Sequence, residues 1–238
     1  MDAVAGGGGL IQVPALLALL PRLPIPTLFG VNKLASLFGT GTAATWYARH
    51  IAIPWRTALP AAAAALVGSW FGARLVRHLD PTLLRPLVLA LLVLVGAFTV
   101  LRPRYGAARH APRVRGAAAL LLALIVGGAL GFYDGFFGPG AGSFLIFAFV
   151  GVFGMDFLTA SATAKVVNFG SGVAALGYFA GTGHVRWGLG LAMGAALMTG
   201  AALGSRAAVR GGVRFVRPFF LAVVTALIVK IAWDTLRG

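Results

Sequence analysis

Four long stretches of this chain contain no charged residue, and they restrict its fold more than any other feature. They span residues 57–73, 87–101, 166–185 and 187–205. A hydrocarbon core about 30 Å thick is crossed by roughly 20 helical residues, so stretches this long and apolar indicate transmembrane helices. Lipid offers no hydrogen bonds to the backbone, whereas a helix satisfies its own. The runs lack the apolar–polar alternation of a membrane barrel, so we predict an all-α integral membrane protein.

The composition supports a lipid environment and argues against a nucleic-acid partner. The chain is 59% hydrophobic and 11% charged, with a net charge of +15; a soluble domain has roughly a quarter of its residues charged. The arginines lie in short gaps between apolar runs, as in proteins oriented by the membrane, and do not form one basic face. Because the chain has no cysteine and only five dispersed acids, we predict no metal, no cofactor and no enzymatic site.

We predict nine apolar segments separated by short polar gaps. The first and the sixth contain about a dozen residues or fewer, and at 1.5 Å per residue they reach only about half of the hydrocarbon core. These two are therefore expected to be half-helices or re-entrant segments inside a polytopic bundle. The nine segments lie at residues 9–20, 27–48, 57–76, 83–101, 116–132, 143–153, 157–180, 187–207 and 217–233.

Two gaps are rich in arginine. Residues 102–115 contain five arginines and no acid, and residues 206–217 contain four arginines. Positively charged loops remain preferentially on the cytoplasmic side. If every segment crosses the membrane, both gaps are cytoplasmic loops.

The two halves of the chain share residues at a nearly constant offset. Lys33 and Lys165 correspond at this offset, and each precedes a Phe-Gly-Thr/Ser-Gly motif. We therefore predict two repeats, residues 1–101 and 116–238, joined by the basic loop 102–115. An apolar helix precedes the glycine-rich turn only in the second repeat, so we expect either a lost helix or an upstream start in the first. Five segments in a complete unit would give inverted topology, which is common in transporters.

Glycine-rich turns precede both short segments. Gly and Pro interrupt a helix, and the next helix then begins with unpaired N–H groups and a partial positive charge. At membrane depth such a helix end is suited to binding an anion. The alternative is that these glycines only allow close helix packing. The anion-binding candidates are Gly7, Gly8, Gly9, Gly138, Gly140, Gly142 and Ser143.

Asp134 lies beside the second glycine turn, and no other acid occurs between Asp80 and Asp156. An ionisable group inside a membrane segment costs at least ~2.5 kcal/mol, which makes it a functional candidate. Asp134 is predicted either to accept a coupling proton or to order the turn by accepting backbone hydrogen bonds.

Two lysines occupy matching places in the two repeats. Asn32 adjoins Lys33, and helical spacing places Asn168 on the same face as Lys165. An ammonium group with neighbouring amide donors suits an oxyanion, so these four residues are candidate substrate ligands. The alternative is that each lysine extends its amine to the lipid headgroups.

The motifs at residues 131–144 and 163–168, with residues 6–11 and Pro14 in the first repeat, resemble those of the TauE/SafE family of probable sulfite exporters. This family is also called the four-toluene-sulfonate uptake permease family, and the resemblance covers nearly the whole chain. It implies multi-pass transport of sulfite, sulfonates or related small organic anions in the bacterial inner membrane.

The leading hypothesis is a secondary transporter that exports a sulfite-like or organosulfonate anion. The glycine-rich helix ends and the two lysines would hold the anion, and Asp134 would couple a proton. Two alternatives remain open at this point: a passive anion channel with the same lining, and a membrane scaffold subunit that transports nothing.

Overall fold

The computed structural model describes residues 2–6, 8–20, 22–76, 90, 114 and 116–237. The regular elements within these ranges are helices, which confirms the predicted all-α membrane fold. Nearly all of the predicted fourth segment, residues 83–101, and of the predicted loop 102–115 lies outside the described residues. The helices are α1 (Asp2–Ala5), α2 (Gly8–Leu19), α3 (Ile25–His50), α4 (Trp55–Leu75), α5 (Gly116–Phe136), α6 (Ala141–Phe153), α7 (Phe157–Gly181) and α8 (Trp187–Arg237).

The outer layer is apolar on its outward face. Helices α4 and α5, and the Trp187–Gly211 part of α8, are long and apolar enough to cross a membrane. Their large apolar side chains point outward, among them Phe71, Ile125 and Leu203, each more than half exposed. Contiguous exposed apolar surface is unfavourable in water and favourable against lipid. We conclude that this layer faces the bilayer.

Helices α3 and α7 lie inside the outer layer and carry the polar residues. Helix α3 packs against α7 and α8, and α7 also packs against α4 and α6. Their buried residues include Asn32, Lys33 and Lys165. Polar groups placed on the inner helices avoid contact with lipid, where an unpaired charge is most costly.

Close backbone contact joins α4 to α5. Gly127, Gly131 and Gly135 recur at every fourth position on one face of α5. A Cβ atom on Gly127 would overlap the backbone of Ala61 in α4, and the other two meet α4 in the same way. Small residues at this spacing allow membrane helices to approach closely. The seam fixes α5, which carries Asp134 near its C-terminus.

The two predicted short segments form helices of 12 and 13 residues, α2 and α6. At 1.5 Å per residue each is roughly 18–20 Å long, which is too short to cross the core. Each follows a turn that contains a glycine with positive φ, namely Gly6 at 69° and Gly138 at 87°. Glycine adopts this conformation without the steric penalty of other residues. The helix breaks therefore occur at the predicted glycine turns.

The prediction of separate eighth and ninth segments was wrong. Helix α8 runs without interruption from Trp187 to Arg237 and includes the predicted basic loop 206–217. Arginine is a good helix former, so a cluster of arginines changes the polarity of a helix without ending it. At 51 residues α8 is roughly 76 Å long and exceeds the thickness of the hydrocarbon core. Residues 206–217 are therefore not a loop, and only residues 102–115 remain as a predicted cytoplasmic loop.

Several helix boundaries recur at the offset found in the sequence. Helices α3 and α7 begin at Ile25 and Phe157, and α4 and α8 begin at Trp55 and Trp187. Both pairs of helix starts have the same separation along the chain as the two repeat lysines. By the same offset, the short α1 corresponds to the end of α5. The glycine turns after α1 and α5 are thus in equivalent places along the chain.

Candidate anion-binding site

The two glycine turns contact each other in the interior of the molecule. A Cβ atom on Gly142 would lie 2.6 Å from the carbonyl oxygen of Gly6, and a Cβ on Gly6 would lie 2.8 Å from the Cα of Gly142. Side chains at these positions would prevent the approach. The contact brings the N-terminal ends of α2 and α6 together.

A polar cavity with a volume of about 40 Å³ lies beside this contact. Helices α3, α5 and α7 contribute side chains to it, and the two turns contribute backbone. Ser36, Thr40 and Gly172, which were not among the predicted substrate ligands, also line the wall. The predicted site residues that line it are Gly9, Asn32, Lys33, Asp134, Gly138, Gly142 and Asn168.

Four other predicted residues lie near the cavity without lining it. Gly8 is the first residue of α2, and Gly140 precedes α6 with a φ of 82°. Ser143 and Lys165 are buried in α6 and α7. Gly7 lies outside the described residues.

Lys33 and Asp134 form a buried ion pair on the cavity wall. The Lys33 Nζ lies 2.8 Å from the Asp134 Oδ1, with the two side chains 5% and 11% exposed. The same ammonium group donates a hydrogen bond to the Asp134 backbone carbonyl. The Ser171 hydroxyl donates to the other carboxylate oxygen, Oδ2. The Asp134 side chain therefore bonds to an ammonium and a hydroxyl.

A second ion pair joins Lys165 to Asp2. The Lys165 Nζ lies 2.9 Å from the Asp2 Oδ2, and the lysine side chain is fully buried. The other carboxylate oxygen accepts a hydrogen bond of 3.1 Å from the backbone N–H of Gly8. Asp2 thus occupies the N-terminal end of α2 and compensates the partial positive charge there.

Sequence reasoning missed Asp2, although a signal was present. Asp2 and Asp134 have the same separation along the chain as Lys33 and Lys165. Each carboxylate pairs with the lysine of the other half of the chain, so the two ion pairs cross. The repeat offset could have identified Asp2 as the counterpart of Asp134. The crossed pairing of the carboxylates with the lysines depends on the three-dimensional arrangement.

Both lysines point into the molecule, where Lys33 is 4% exposed and Lys165 is 0% exposed. Neither ammonium group reaches the lipid headgroups, so the alternative of amines extended to the interface does not apply to this structure. Each ammonium group already has a carboxylate partner. An incoming anion must therefore compete with a carboxylate of the protein.

Two asparagines add unpartnered polar groups to the cavity wall. The side-chain oxygens of Asn32 and Asn168 are buried and make no hydrogen bond with any described residue. Buried polar atoms without partners are rare in folded proteins and are candidates for ligand contacts. The Asn168 amide also lies close to Gly142, at the start of α6.

The N-cap residue of α6 is Gly140, which provides no side-chain hydrogen bond to the helix start. By contrast, Asp156 caps α7 by accepting a hydrogen bond of 2.8 Å from the Thr159 N–H. An uncapped helix start attracts anions through its N–H groups and its dipole. The cavity therefore combines a buried ammonium group with an uncapped helix start.

Apolar outer helices around an ion-paired polar cavity are features of a membrane transporter. A family model described as "Sulfite exporter TauE/SafE" matches residues 1–231. The chain belongs to the TauE/SafE family, which confirms the resemblance found in its motifs. No solved structure matches the chain.

Three similar proteins are named as probable membrane transporters. The ORF9 protein of a Sinorhizobium species is 38% identical over 98% of this chain and 88% of its own length. YfcA of Escherichia coli K12 is 35% identical over 99% of this chain and 86% of its own length. A Haemophilus influenzae protein is 33% identical over 98% of this chain and 90% of its own length. These matches identify a membrane transporter that acts in a lipid bilayer.

Proposed function

We propose that this protein is a proton-coupled secondary transporter of a small oxyanion, such as sulfite or an organosulfonate, in the bacterial inner membrane. Its two halves, residues 1–101 and 116–238, would be equivalent units joined by the loop 102–115. The recurrence of helix starts at one offset supports this duplication. Duplicated units around a central site are a common construction in secondary transporters.

The single observation that carries the proposal is the Lys33–Asp134 ion pair on the cavity wall. A buried ammonium group beside the uncapped start of α6 offers charge and N–H donors to an oxyanion. The carboxylate of Asp134 competes for that ammonium group. The Lys33–Asp134 ion pair and the start of α6 together form one site. An anion can enter this site only when the carboxylate of Asp134 moves away from the ammonium group.

Protonation of Asp134 releases its side chain from the ammonium group of Lys33. A proton from water converts the carboxylate to a neutral carboxylic acid, and Lys33 keeps its positive charge. The substrate anion then replaces the carboxylate as the partner of the ammonium group. With a univalent anion, such as hydrogensulfite or a sulfonate, the local net charge is zero before and after the exchange, so neither state has an uncompensated charge in a medium of low dielectric constant.

This exchange moves one proton and one negative charge in the same direction. Reorientation with only the proton bound would leave a buried ammonium group unpaired, and reorientation with only the anion bound would leave a buried negative charge uncompensated. Net export, which the family description suggests, then requires an outward anion gradient larger than the inward proton gradient. The same coupled movement of proton and anion gives uptake when the inward proton gradient is larger than the outward anion gradient.

Labelled sulfite uptake into proteoliposomes tests the proposal. The variant Lys33→Met removes the ammonium group and is expected to lower the initial rate at least tenfold. Asp156→Asn is the matched control, because it removes a carboxylate outside the cavity and asparagine still caps a helix. Wild-type rates in Lys33→Met would overturn the site assignment, and equal rates in empty liposomes and proteoliposomes would overturn sulfite as a substrate.

A further inference from the structure

We propose that Asp2 and Lys165 form a second anion site, in which the carboxylate of Asp2 is a resident anion that the substrate replaces. This inference rests on the proposed function and extends it to a residue that the sequence did not single out. The proton-linked exchange would then occur at two related places, one for each half of the chain.

The contacts of Asp2 are those expected of a bound oxyanion. One carboxylate oxygen accepts from the Lys165 ammonium at 2.9 Å, and the other accepts from the Gly8 N–H at 3.1 Å. Gly8 is the first residue of the 12-residue helix α2. An ammonium group and a helix N-terminus are the donors that oxyanions find in proteins. The N-terminal end of α2 is therefore an anion site that the carboxylate of Asp2 fills.

The position of Asp2 links it to the first site. Asp2 lines the same cavity as Lys33 and Asp134. Its side chain is 20% exposed, whereas that of Lys165 is fully buried behind it. An anion or proton that enters the cavity reaches Asp2 before it reaches Lys165. Loss of charge on Asp2 would open the ammonium group of Lys165 to the substrate.

The surroundings of Asp2 contain few other ionisable groups among the described residues. Lys165 faces it from α7. From α3, the Tyr47 hydroxyl donates a hydrogen bond of 2.8 Å to the carbonyl of the neighbouring Ala3. From α8, Ala196 and Leu197 share a cavity with Asp2 and provide only apolar groups. The described ionisable group that pairs with the Asp2 carboxylate is thus Lys165 alone.

The proposed exchange conserves charge. Asp2 takes a proton from water and becomes a neutral acid, its bond to Lys165 is lost, and a univalent anion takes its place beside the ammonium group and the Gly8 N–H. Low pH should therefore strengthen anion binding. A permanently neutral side chain at position 2 should bind the anion strongly at every pH.

Thermal stabilisation of detergent-purified protein by methanesulfonate, which stays univalent over the whole pH range, tests this without measuring transport. Asp2→Asn is expected to bind this sulfonate at least tenfold more tightly than the wild type at pH 8 and to show a weaker pH dependence, since the Asp134 site stays proton-linked. Asp156→Asn is the control and should retain wild-type affinity and pH dependence. The double variant Asp2→Asn/Lys165→Met, which leaves no unpaired charge, should fold and should lose the added affinity.

Wild-type affinity and pH dependence in Asp2→Asn would overturn the inference, as would tighter binding that persists in the double variant. Failure of the proposed function gives a different result: no sulfite flux by the wild type, with the gain in Asp2→Asn binding still present. Normal flux with no gain in binding would leave the proposed function standing and would overturn the second site.

Discussion

Lys165 and Asp2 are 163 residues apart in the chain, and their side chains form an ion pair 2.9 Å long. Lys33 and Asp134 form the reciprocal pair at 2.8 Å. Because each pair takes one residue from each half, the halves cannot separate without exposing buried charges. The two ion pairs thus fix the contact between the glycine turns and also place the ammonium groups that we propose to bind substrate.

Removal of one partner of the Lys33–Asp134 pair should destabilise the protein. We expect Asp134→Asn to lower the free energy of unfolding by roughly 3–5 kcal/mol, because it leaves a buried ammonium group unpaired. Denaturation in detergent micelles measures the change. The double variant Asp134→Asn/Lys33→Met should recover most of the loss, and an equally unstable double variant would show that packing, and not charge, causes the effect.

The seam between α4 and α5 should tolerate substitution at one glycine and not at its neighbour. A Cβ on Gly127 would overlap the backbone of Ala61, whereas a Cβ on Gly128 would have its nearest neighbour at 3.9 Å. Gly127→Ala is expected to cost roughly 1–3 kcal/mol of stability through overpacking. Gly128→Ala should be neutral or slightly stabilising, since alanine favours helix. Equal melting temperatures for the two variants would contradict this packing.

Gly142→Ala should impair transport because it forces the two glycine turns apart. The added methyl group would lie 2.6 Å from the Gly6 carbonyl and 2.8 Å from the Asn168 amide. We expect a fall of at least tenfold in sulfite flux. Gly188→Ala is the control, since a Cβ there meets no atom within 4 Å. Wild-type flux in Gly142→Ala would argue against a role for the turn contact.

The absence of native cysteine allows the cavity to be probed with single-cysteine variants. Thr40 lines the cavity and is 5% exposed. We expect saturating sulfite to slow modification of Thr40→Cys by a small thiol reagent about tenfold. Thr45→Cys, on the exposed side of the same helix, should react at the same rate with or without sulfite. Unchanged labelling of Thr40→Cys would place the anion elsewhere.

The sequence predicted the fold because membrane helices are recognisable from apolar length alone. The glycine turns and the polar faces of Lys33 and Lys165 were also predictable, since both follow from local patterns. The extent of α8 was not predictable, because arginine marks a change of polarity and not the end of a helix. A hydropathy pattern reports where a helix meets lipid or water, which need not be where it begins or ends.

The pairing of charges was the part of the site that local pattern could not give. Asp2 and Lys165 share no helix, turn or motif, and only the fold brings them together. Two unpaired lysines would suggest a permanently cationic site. The pairs indicate instead a cavity near electrical neutrality, in which we propose that proton binding controls anion access.

The most direct test of this account is sulfite accumulation in proteoliposomes with an imposed pH gradient and the membrane potential held at zero. A carrier that moves a proton with each negative charge should concentrate sulfite above equilibrium on the alkaline side, in proportion to the gradient, and Asp134→Asn should abolish the concentration. Sulfite that equilibrates without ever accumulating, or that accumulates equally in Asp134→Asn, would contradict the proposed exchange of carboxylate for substrate.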